Sequence, residues 1–359
     1  MNTKKIIALL LALAMIFGMA ACSKDENSGE DAAGETSAYS QGIDENGFFE
    51  GVTAKDYVAL GEYKGIHVPA DVYTISAEQV EQEIQSALDS FSSLEEVTGR
   101  AARLGDTVDI DYEGYMDGEQ FDGGTGNNPS LELGSNSFIA GFEDGIVGHN
   151  TGDEFDLELN FPDPYYNNEE LSGKAVTFHV TLNSISETVA PELTDAFVAE
   201  NYDYTTVAEL YEGTEAMLRD NAIDMYLFEE IQSYEVSEIP QSMIDYQAQT
   251  MLAYYEMMSS MYGMTLDDFV SAMGMQSSDE LVAAHEEDLK ESAREFLVYQ
   301  AIAEDAGLSV SQADIDEEFE DYDEETFKDI VEYYGLPYIK CMLLTGKVAD
   351  LLYDTAVLE

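Results

Sequence analysis

The sequence predicts an α+β protein in which an antiparallel β module is inserted in an otherwise helical chain. Between Gly105 and Gly152 the chain holds 11 of its 27 glycines, and apolar residues there alternate with polar ones, as in short strands joined by tight turns. On both sides of this stretch, apolar residues recur every three or four positions, which is the spacing of one helix face. With 359 residues and 45% hydrophobic content, the chain is long enough for two or three domains with their own cores.

The charge of the chain excludes several classes of partner. Its 14 basic and 75 acidic side chains give a formal net charge of -61. Such a surface repels phosphate backbones and anionic lipid headgroups, so we expect no nucleic-acid partner and no membrane contact through a basic helix. Any attachment to a membrane must therefore come from another kind of group.

The first 22 residues have the features of an export signal followed by a lipid attachment site. Lys4 and Lys5 precede the apolar run 6–18, which is shorter than the roughly 20 residues that a spanning helix needs. The small residues directly before Cys22 resemble the lipobox of bacterial lipoproteins, in which the cysteine becomes the lipid-carrying N-terminus. We expect residues 1–21 to be a signal peptide and the mature protein to be lipid-anchored to the extracytoplasmic side of the cell membrane. Plain secretion and a buried helix with a chance cysteine are the alternatives.

The next two segments lead from this anchor to the β module. Residues 22–45 are small, polar and acidic without apolar periodicity, which predicts a flexible tether. Residues 46–102 are expected to form an arm whose helix begins at Ser76, because Ser76 and Gln79 have the spacing of a capping box. This helix is predicted to extend to about residue 92 and to pack its apolar stripe against the C-terminal helical region. The stripe consists of Val80, Ile84, Leu88 and Phe91.

Residues 103–186 are expected to form the β module. The segment 138–148 differs from its surroundings, because Phe138, Phe142 and Ile146 are one helical turn apart and predict a short helix packed on the sheet. At least four strands are predicted from alternating apolar residues: Val108, Ile110 and Tyr112; Leu131 and Leu133; Phe155, Leu157, Leu159 and Phe161; and Val176, Phe178, Val180 and Leu182.

Residues 187–359 are expected to be helical to the end of the chain. Ten of the 15 methionines lie between Met217 and Met275, and the segment 251–264 carries apolar residues on every face. Flexible methionine side chains suit a surface that accepts many sequences, although ordinary core packing is the alternative. Helical patterns cover 206–234, 241–262, 266–273, 279–306 and 311–319. The residues expected to bind unfolded clients are Met251, Met257, Met258, Met261 and Met264.

No pattern in the sequence indicates metal or covalent chemistry. The four histidines have no paired spacing, and the chain contains neither CxxC nor a serine in GxSxG. The acidic run 314–325 lacks the central glycine of an EF-hand loop and is better explained as a solvated helix face. Cys341 lies in an apolar string and is expected to be buried. We therefore expect no metal and no cofactor.

The β module resembles the FKBP-type peptidyl-prolyl isomerases, and most closely the version found in trigger factors. The resemblance rests on GDTVDIDYEGYMDGEQFDGG from residue 105, LELGSNSFIAGFEDGIVGHNTGDEF from residue 131, FPDPYY from residue 161 and GKAVTFHVTLNSI from residue 173. It extends to PELTDAFV at 191–198 and IAEDAGLSVSQADIDEEF at 302–319, which are similar to parts of the trigger factor chaperone domain. Signal peptide and tether replace the ribosome-docking domain of that family, so we expect no ribosome partner.

The resemblance implies a basin that binds proline, with a role for each matching residue. Phe142 matches the aromatic floor, and Ile139 matches the residue whose backbone N–H meets a substrate carbonyl, with Phe138 beside it. The implied walls are Tyr112, Phe121 and Phe178.

Three further positions in this comparison bear on the basin. Asp122 matches an aspartate aimed into the pocket, and either Tyr165 or Tyr166 matches the tyrosine at the rim. Pro129 stands where an aromatic wall residue is usual, which implies a shallower basin.

Together these features predict a membrane-anchored extracytoplasmic prolyl isomerase and chaperone. Its expected partners are unfolded or proline-containing exported polypeptides. The alternative is a non-enzymatic holdase that uses a degenerate FKBP module only to bind clients.

Overall fold

A computed structural model of the chain describes residues 37–359, so the expected signal peptide and Cys22 lie outside the described residues. The chain folds as two compact units. One unit is formed by residues 77–214, and the other combines the described residues up to Ser76 with Glu215–Glu359. The predicted α+β class, with an antiparallel sheet in one part and many helices in another, is confirmed.

The unit 77–214 contains one antiparallel sheet of five strands. The longest strand, at 175–189, pairs with one neighbour along one edge and with two along the other. The strands are β1 (Val58–Ala59) and β2 (His67–Val68) in the other unit, then β3 (Ser93–Glu96), β4 (Thr107–Met116), β5 (Glu119–Glu132), β6 (Glu154–Asn160) and β7 (Ala175–Val189) in this one. The sheet order is β3-β7-β4-β5, with β6 also paired to β7.

The core of this sheet is formed by the strand residues that alternate toward one face. Val176, Phe178, Val180 and Leu182 of β7 are all buried, as the alternating pattern predicts. The short helix Phe142–Ile146 contributes Phe142 and Ile146, both completely buried, to the same core.

The helices of the unit 77–214 lie at its two chain ends and beside the sheet. The first helix buries Val80, Ile84 and Leu88, the stripe expected from the sequence. Phe91, which follows this helix, has its ring centroid 5.2 Å from that of Phe197. The Tyr211 hydroxyl donates a hydrogen bond to the Glu81 carboxylate at 2.5 Å. The helices are α1 (Ala77–Asp89), α2 (Phe142–Ile146), α3 (Asp195–Asn201) and α4 (Val207–Gln232), the last of which crosses into the other unit.

The unit boundaries differ from the expected domain limits at 102/103 and 186/187. Helix α1 belongs to the same unit as the sheet, because it contacts residues 197–211 and these residues also fold into that unit. The breaks therefore lie at 76/77 and 214/215.

The second unit is built around a central helix at 286–306. Leu297, Val298, Ala301 and Ile302 of this helix are completely buried. Short strand pairs tie distant parts of this unit together, since β1 pairs with Glu235–Val236 (β8) and β2 with Val357–Leu358 (β9). The further helices are α5 (Gln241–Met261), α6 (Leu266–Ala272), α7 (Ser278–Ala284), α8 (Glu286–Ala306), α9 (Gln312–Glu318), α10 (Glu324–Tyr334) and α11 (Leu336–Thr355). Within residues 37–359, none of the helices has the length and apolar character needed to cross a membrane.

We call the second unit the helical unit. The segment 37–49, which we call the N-terminal strap, packs within this unit. Ser40 is 2% exposed and donates a hydrogen bond from its hydroxyl to the Tyr334 carbonyl at 2.8 Å. The ring of Tyr39 lies 5.1 Å from that of Tyr334, and Ile43 is buried in the core. The flexible tether expected to reach residue 45 is therefore wrong for residues 37–45, because apolar and aromatic side chains hold this part of the segment in place.

Candidate active site

The unit 77–214, which we call the sheet unit, contains a cavity of about 610 Å³. Side chains of β4, β5 and β7 form part of its lining. Ten of the 15 residues that line this cavity, which we call the basin, are aromatic or aliphatic, and backbone, amide and hydroxyl groups make up a large part of its accessible surface. Among the described residues that line it, none carries a charged side chain. These residues are Tyr112, Phe121, Gly123, Asn136, Ser137, Phe138, Ile139, Ala140, Phe161, Pro162, Tyr165, Asn167, Asn168, Leu171 and Phe178.

All three residues expected to form the walls lie in the basin. Tyr112 projects from β4 and lies edge-on to Phe178 of β7, with 6.0 Å between the ring centroids. Phe121 of β5 lies edge-on to the same Phe178 at 6.3 Å. Edge-to-face contacts of this kind stabilise an aromatic cluster beyond its simple burial. The walls are therefore held by ring contacts across three paired strands.

The floor differs from what the sequence implied. Phe142, the expected floor, is completely buried and does not line the basin. The ring of Phe138 stacks on it at a centroid distance of 4.3 Å and an angle of 17°. Phe138 is thus the surface that faces the basin, and Phe142 forms a second layer beneath it.

Glycines in β5 leave room for two of the wall rings. A Cβ atom on Gly124 would lie 2.7 Å from Cζ of Phe121, and one on Gly126 would lie 2.7 Å from Cζ of Tyr112. Both distances are shorter than the roughly 3.5 Å at which carbon atoms make contact. The glycine-rich composition of β5 therefore serves the placement of the basin rings as well as the turns.

The resemblance assigns the binding of a substrate carbonyl to the backbone N–H of Ile139. Ile139 lines the basin, and its carbonyl accepts a hydrogen bond from the N–H of Phe142 at 3.1 Å. Its own N–H donates to no acceptor among the described residues. No acceptor in the described part of the chain therefore competes with a carbonyl group placed in the basin for this N–H.

The two candidate rim tyrosines occupy different positions. Tyr165 lines the basin, its ring lies 5.0 Å from that of Phe161, and its N–H donates to Ser172 Oγ at 2.8 Å. Tyr166 is 87% exposed and does not line the basin. The structure therefore brings Tyr165, and not Tyr166, to the expected site.

Two other positions named from the sequence have different outcomes. Asp122 lies in β5 next to Phe121, but its side chain is outside the described part of the structure. Pro129 also lies in β5 and is not among the residues that line the basin. An aromatic side chain at position 129 is therefore not needed to close the basin as described.

Sequence reasoning missed several residues of the basin. Phe161 was assigned to the predicted strand at 155–161, but it follows β6, and its ring centroid lies 5.9 Å from that of Phe121. Leu171 ends a single 3-10 turn at Glu169–Leu171 and the polar rim residues lie in loops, so no periodicity indicates which of these side chains point inward. The rim residues are Asn136, Asn167 and Asn168.

Exchanging each of the two tyrosines for alanine should separate their roles. We expect Tyr165→Ala to lower binding of proline-containing peptides about 10-fold, because it removes a partly buried apolar ring from the basin. Tyr166→Ala should leave the affinity within about twofold, since that side chain is solvated. Isothermal titration with a short Xaa-Pro peptide measures both. Equal losses in the two variants would contradict the assignment of Tyr165.

The helical unit contains a second cavity, of about 840 Å³. Met257 and Met261 of α5 line it, with Tyr39 of the N-terminal strap and Tyr333 at the end of α10. The hydroxyl of Tyr333 lies 3.1 Å from the sulfur of Met257. The remaining lining residues are Ser37, Ala38, Ala253, Glu256, Ser260 and Glu332.

The other methionines expected to bind clients are partly accessible but do not line this cavity. Met251 and Met258 are half-buried along α5, and Met264 is 36% exposed after its end. The exposure of Met261 is 41%. None of the five is a fully buried core residue, which contrasts with Met243 on the same helix.

Two family models match the chain. The model of FKBP-type peptidyl-prolyl cis-trans isomerases matches residues 98–183, and that of the bacterial trigger factor C-terminus matches residues 200–354. The trigger factor of Acetivibrio thermocellus is 31% identical over 326 residues, which cover 86% of this chain and 75% of that protein. The trigger factor of Shouchella clausii is 36% identical over 277 residues, covering 75% of this chain and 63% of its own length.

The similarity covers only part of the length of these relatives. The chain spans just under two thirds of the length of the first curated relatives, at 63% and 64%. A solved chain of a trigger factor chaperone is 19% identical with a TM-score of 0.34, covering 83% of this chain and 72% of that one.

Proposed function

The chain belongs to the trigger factor family, and from that premise we propose that it catalyses prolyl cis-trans isomerisation and holds unfolded exported polypeptides while anchored to a membrane by lipid. The observation that carries the catalytic part is the basin. Among its described residues, it combines an aromatic lining without charged side chains with a backbone N–H at Ile139 that has no acceptor.

This composition suits the chemistry of prolyl isomerisation. Rotation about an Xaa-Pro bond opposes amide resonance, with a barrier of about 18–20 kcal/mol and uncatalysed times of tens to hundreds of seconds. No proton transfer and no covalent step are required. A basin of aromatic rings without charged side chains can take the amide out of bulk water, where its resonance form is best solvated, and can fit the twisted amide better than either planar form.

Each part of the basin would act on one part of the substrate. The rings of Tyr112, Phe121 and Phe178 would enclose the proline side chain, with Phe138 beneath it. The Ile139 N–H would hold the neighbouring carbonyl and keep one side of the amide fixed while the other rotates.

Acceleration of proline-limited refolding tests the catalytic proposal. The chain from Ser23 onward, added in catalytic amounts, should accelerate the slow refolding phase of a substrate protein in proportion to its concentration. A slow phase whose rate is unchanged, with aggregation nevertheless suppressed, would favour the alternative of a holdase.

One observation favours that alternative. Phe138 covers Phe142, so the aromatic surface that the resemblance assigned to the floor is not open to a ligand. A basin used only for binding would tolerate such a covered floor, whereas catalysis requires that Phe138 itself serve as the supporting surface.

Client binding by the helical unit is proposed at the methionine-lined cavity. Met257 and Met261 offer flexible apolar contacts beside Tyr39 and Tyr333. Replacing both methionines with serine should weaken suppression of client aggregation. Met273→Ser is the matched control, because Met273 is 44% exposed and does not line the cavity. Equal protection by both variants would locate client binding elsewhere.

The proposed lipid anchor rests on the sequence of the first 22 residues alone. Intact-mass measurement of the membrane-associated protein should show loss of residues 1–21 and a lipid on Cys22. An unmodified Cys22 in that fraction would overturn the anchor and leave the isomerase proposal untouched.

A further inference from the structure

Beneath the basin, one buried carboxylate accepts hydrogen bonds from several backbone N–H groups of the loop 134–138. Glu143 in α2 is 7% exposed. Its Oε2 accepts hydrogen bonds from the backbone N–H groups of Gly134 at 2.8 Å and Asn136 at 3.0 Å, and its Oε1 accepts from Phe138 N–H at 3.1 Å. The Ser135 hydroxyl lies 3.4 Å from the same Oε1.

The loop held in this way supplies much of the basin. Five consecutive residues, from Asn136 to Ala140, line it, and they include the stacked ring of Phe138 and the backbone of Ile139. Glu143 itself is not among the lining residues. Any effect of Glu143 on a bound peptide must therefore pass through the loop.

A negative charge on Glu143 favours these hydrogen bonds to the backbone N–H groups of the loop. Burial on its own raises the pKa of a carboxyl, but here the backbone N–H groups of Phe138, Asn136 and Gly134 outweigh burial and lower the pKa of Glu143. The side chain is consequently an anion at neutral pH. An anionic carboxylate only accepts hydrogen bonds, and charge-assisted bonds of this kind are stronger than neutral ones.

We propose that Glu143 is a positioning residue for isomerisation, which fixes the backbone of residues 134–138 so that the Phe138 ring and the Ile139 N–H meet the substrate in the productive geometry. The inference rests on the proposed function and adds a residue that the basin lining does not contain. Three backbone N–H groups directed at one carboxylate leave the loop a single favourable arrangement, because each N–H would otherwise be unpaired beneath the basin.

The test compares three substitutions in the chain from Ser23 onward. Glu143→Gln keeps the size but replaces one acceptor oxygen with an NH2 group that faces N–H donors. Asp144→Asn is the matched control, since Asp144 is the next residue of the same helix, is exposed and undergoes the same change of charge. Glu143→Asp keeps both carboxylate oxygens on a shorter side chain.

We expect Glu143→Gln to lower kcat/KM for an Xaa-Pro peptide about 10-fold per folded molecule, and Asp144→Asn to leave it unchanged. Glu143→Asp should recover part of the activity even if its thermal stability is no higher than that of Glu143→Gln. Amide hydrogen exchange at Asn136 and Phe138 should accelerate in Glu143→Gln alone. A purely structural role would lower stability without the recovery of activity by aspartate.

The outcomes separate the inference from the function on which it rests. An active unsubstituted protein together with an equally active Glu143→Gln variant would overturn the positioning role. An inactive unsubstituted protein would overturn the proposed isomerase function and the role of Glu143 in it together.

Discussion

Replacing Phe142 with alanine should lower the free energy of unfolding of the unit 77–214 by about 3–5 kcal/mol. The side chain is completely buried, and its ring lies 4.3 Å from that of Phe138 and 5.2 Å from that of Phe178. The cavity left behind would lie directly beneath the basin, so isomerase activity should also be lost. Because the chain has no tryptophan, near-UV circular dichroism of its tyrosines is a suitable signal for denaturant unfolding.

A phenylalanine of the same unit provides the control for this prediction. Phe91 is 41% exposed, and its replacement with alanine should cost about 1 kcal/mol. Phe142→Leu separates stability from catalysis, since it keeps most of the buried volume but removes the ring beneath Phe138. Similar unfolding midpoints for Phe142→Ala and Phe91→Ala would contradict the two-layer floor.

Replacing Phe49 with alanine should destabilise the helical unit by about 3–5 kcal/mol. Phe49 is 4% exposed and lies edge-on to Tyr246 at 5.0 Å, and its N–H donates to Gln300 Oε1 at 2.9 Å. It ends the N-terminal strap, so the substitution tests whether this segment is part of the fold. Denaturant unfolding followed by far-UV circular dichroism measures the effect.

An exposed aromatic residue of the same unit serves as the comparison for Phe49. Tyr262 is 67% exposed, and Tyr262→Ala should change stability by less than about 0.5 kcal/mol. An equally mild effect of Phe49→Ala would contradict the conclusion that the strap is a packed part of the helical unit.

Regular elements with clear apolar periodicity were predictable from the sequence. The expected helix at 76–92 corresponds to α1 at Ala77–Asp89, and the one at 241–262 corresponds to α5 at Gln241–Met261. The expected helix at 279–306 is in fact two helices, because helical structure is interrupted at His285 between α7 and α8. Apolar spacing continues through this break, so periodicity alone did not indicate it.

The acidic run at 314–325 shows where composition was insufficient. Asp323 lies at the start of α10 and its side chain accepts a hydrogen bond from the Thr326 N–H at 2.8 Å. The carboxylate is therefore a helix cap, and the run contains the end of one helix and the start of another.

The basin was only partly predictable for a related reason. The wall residues lie on strands, where alternation fixes the side of the sheet on which a ring stands, and Tyr112, Phe121 and Phe178 are brought together as the resemblance implied. The choice between Tyr165 and Tyr166, and the stacking of Phe138 over Phe142, depend on loop conformation and ring packing. Neither leaves a periodic pattern in the sequence.

The most direct test of the isomerase proposal is the exchange rate of a short Xaa-Pro peptide, measured by NMR exchange spectroscopy with the chain from Ser23 onward. A peptide too short to aggregate removes any contribution from chaperone binding, so only rotation about the bond is observed. The basin predicts faster cis-trans exchange, and Phe121→Ala should reduce this acceleration about 10- to 100-fold by removing one apolar wall. An exchange rate unchanged by the unsubstituted protein, or an acceleration unaffected by Phe121→Ala, would contradict catalysis in the basin.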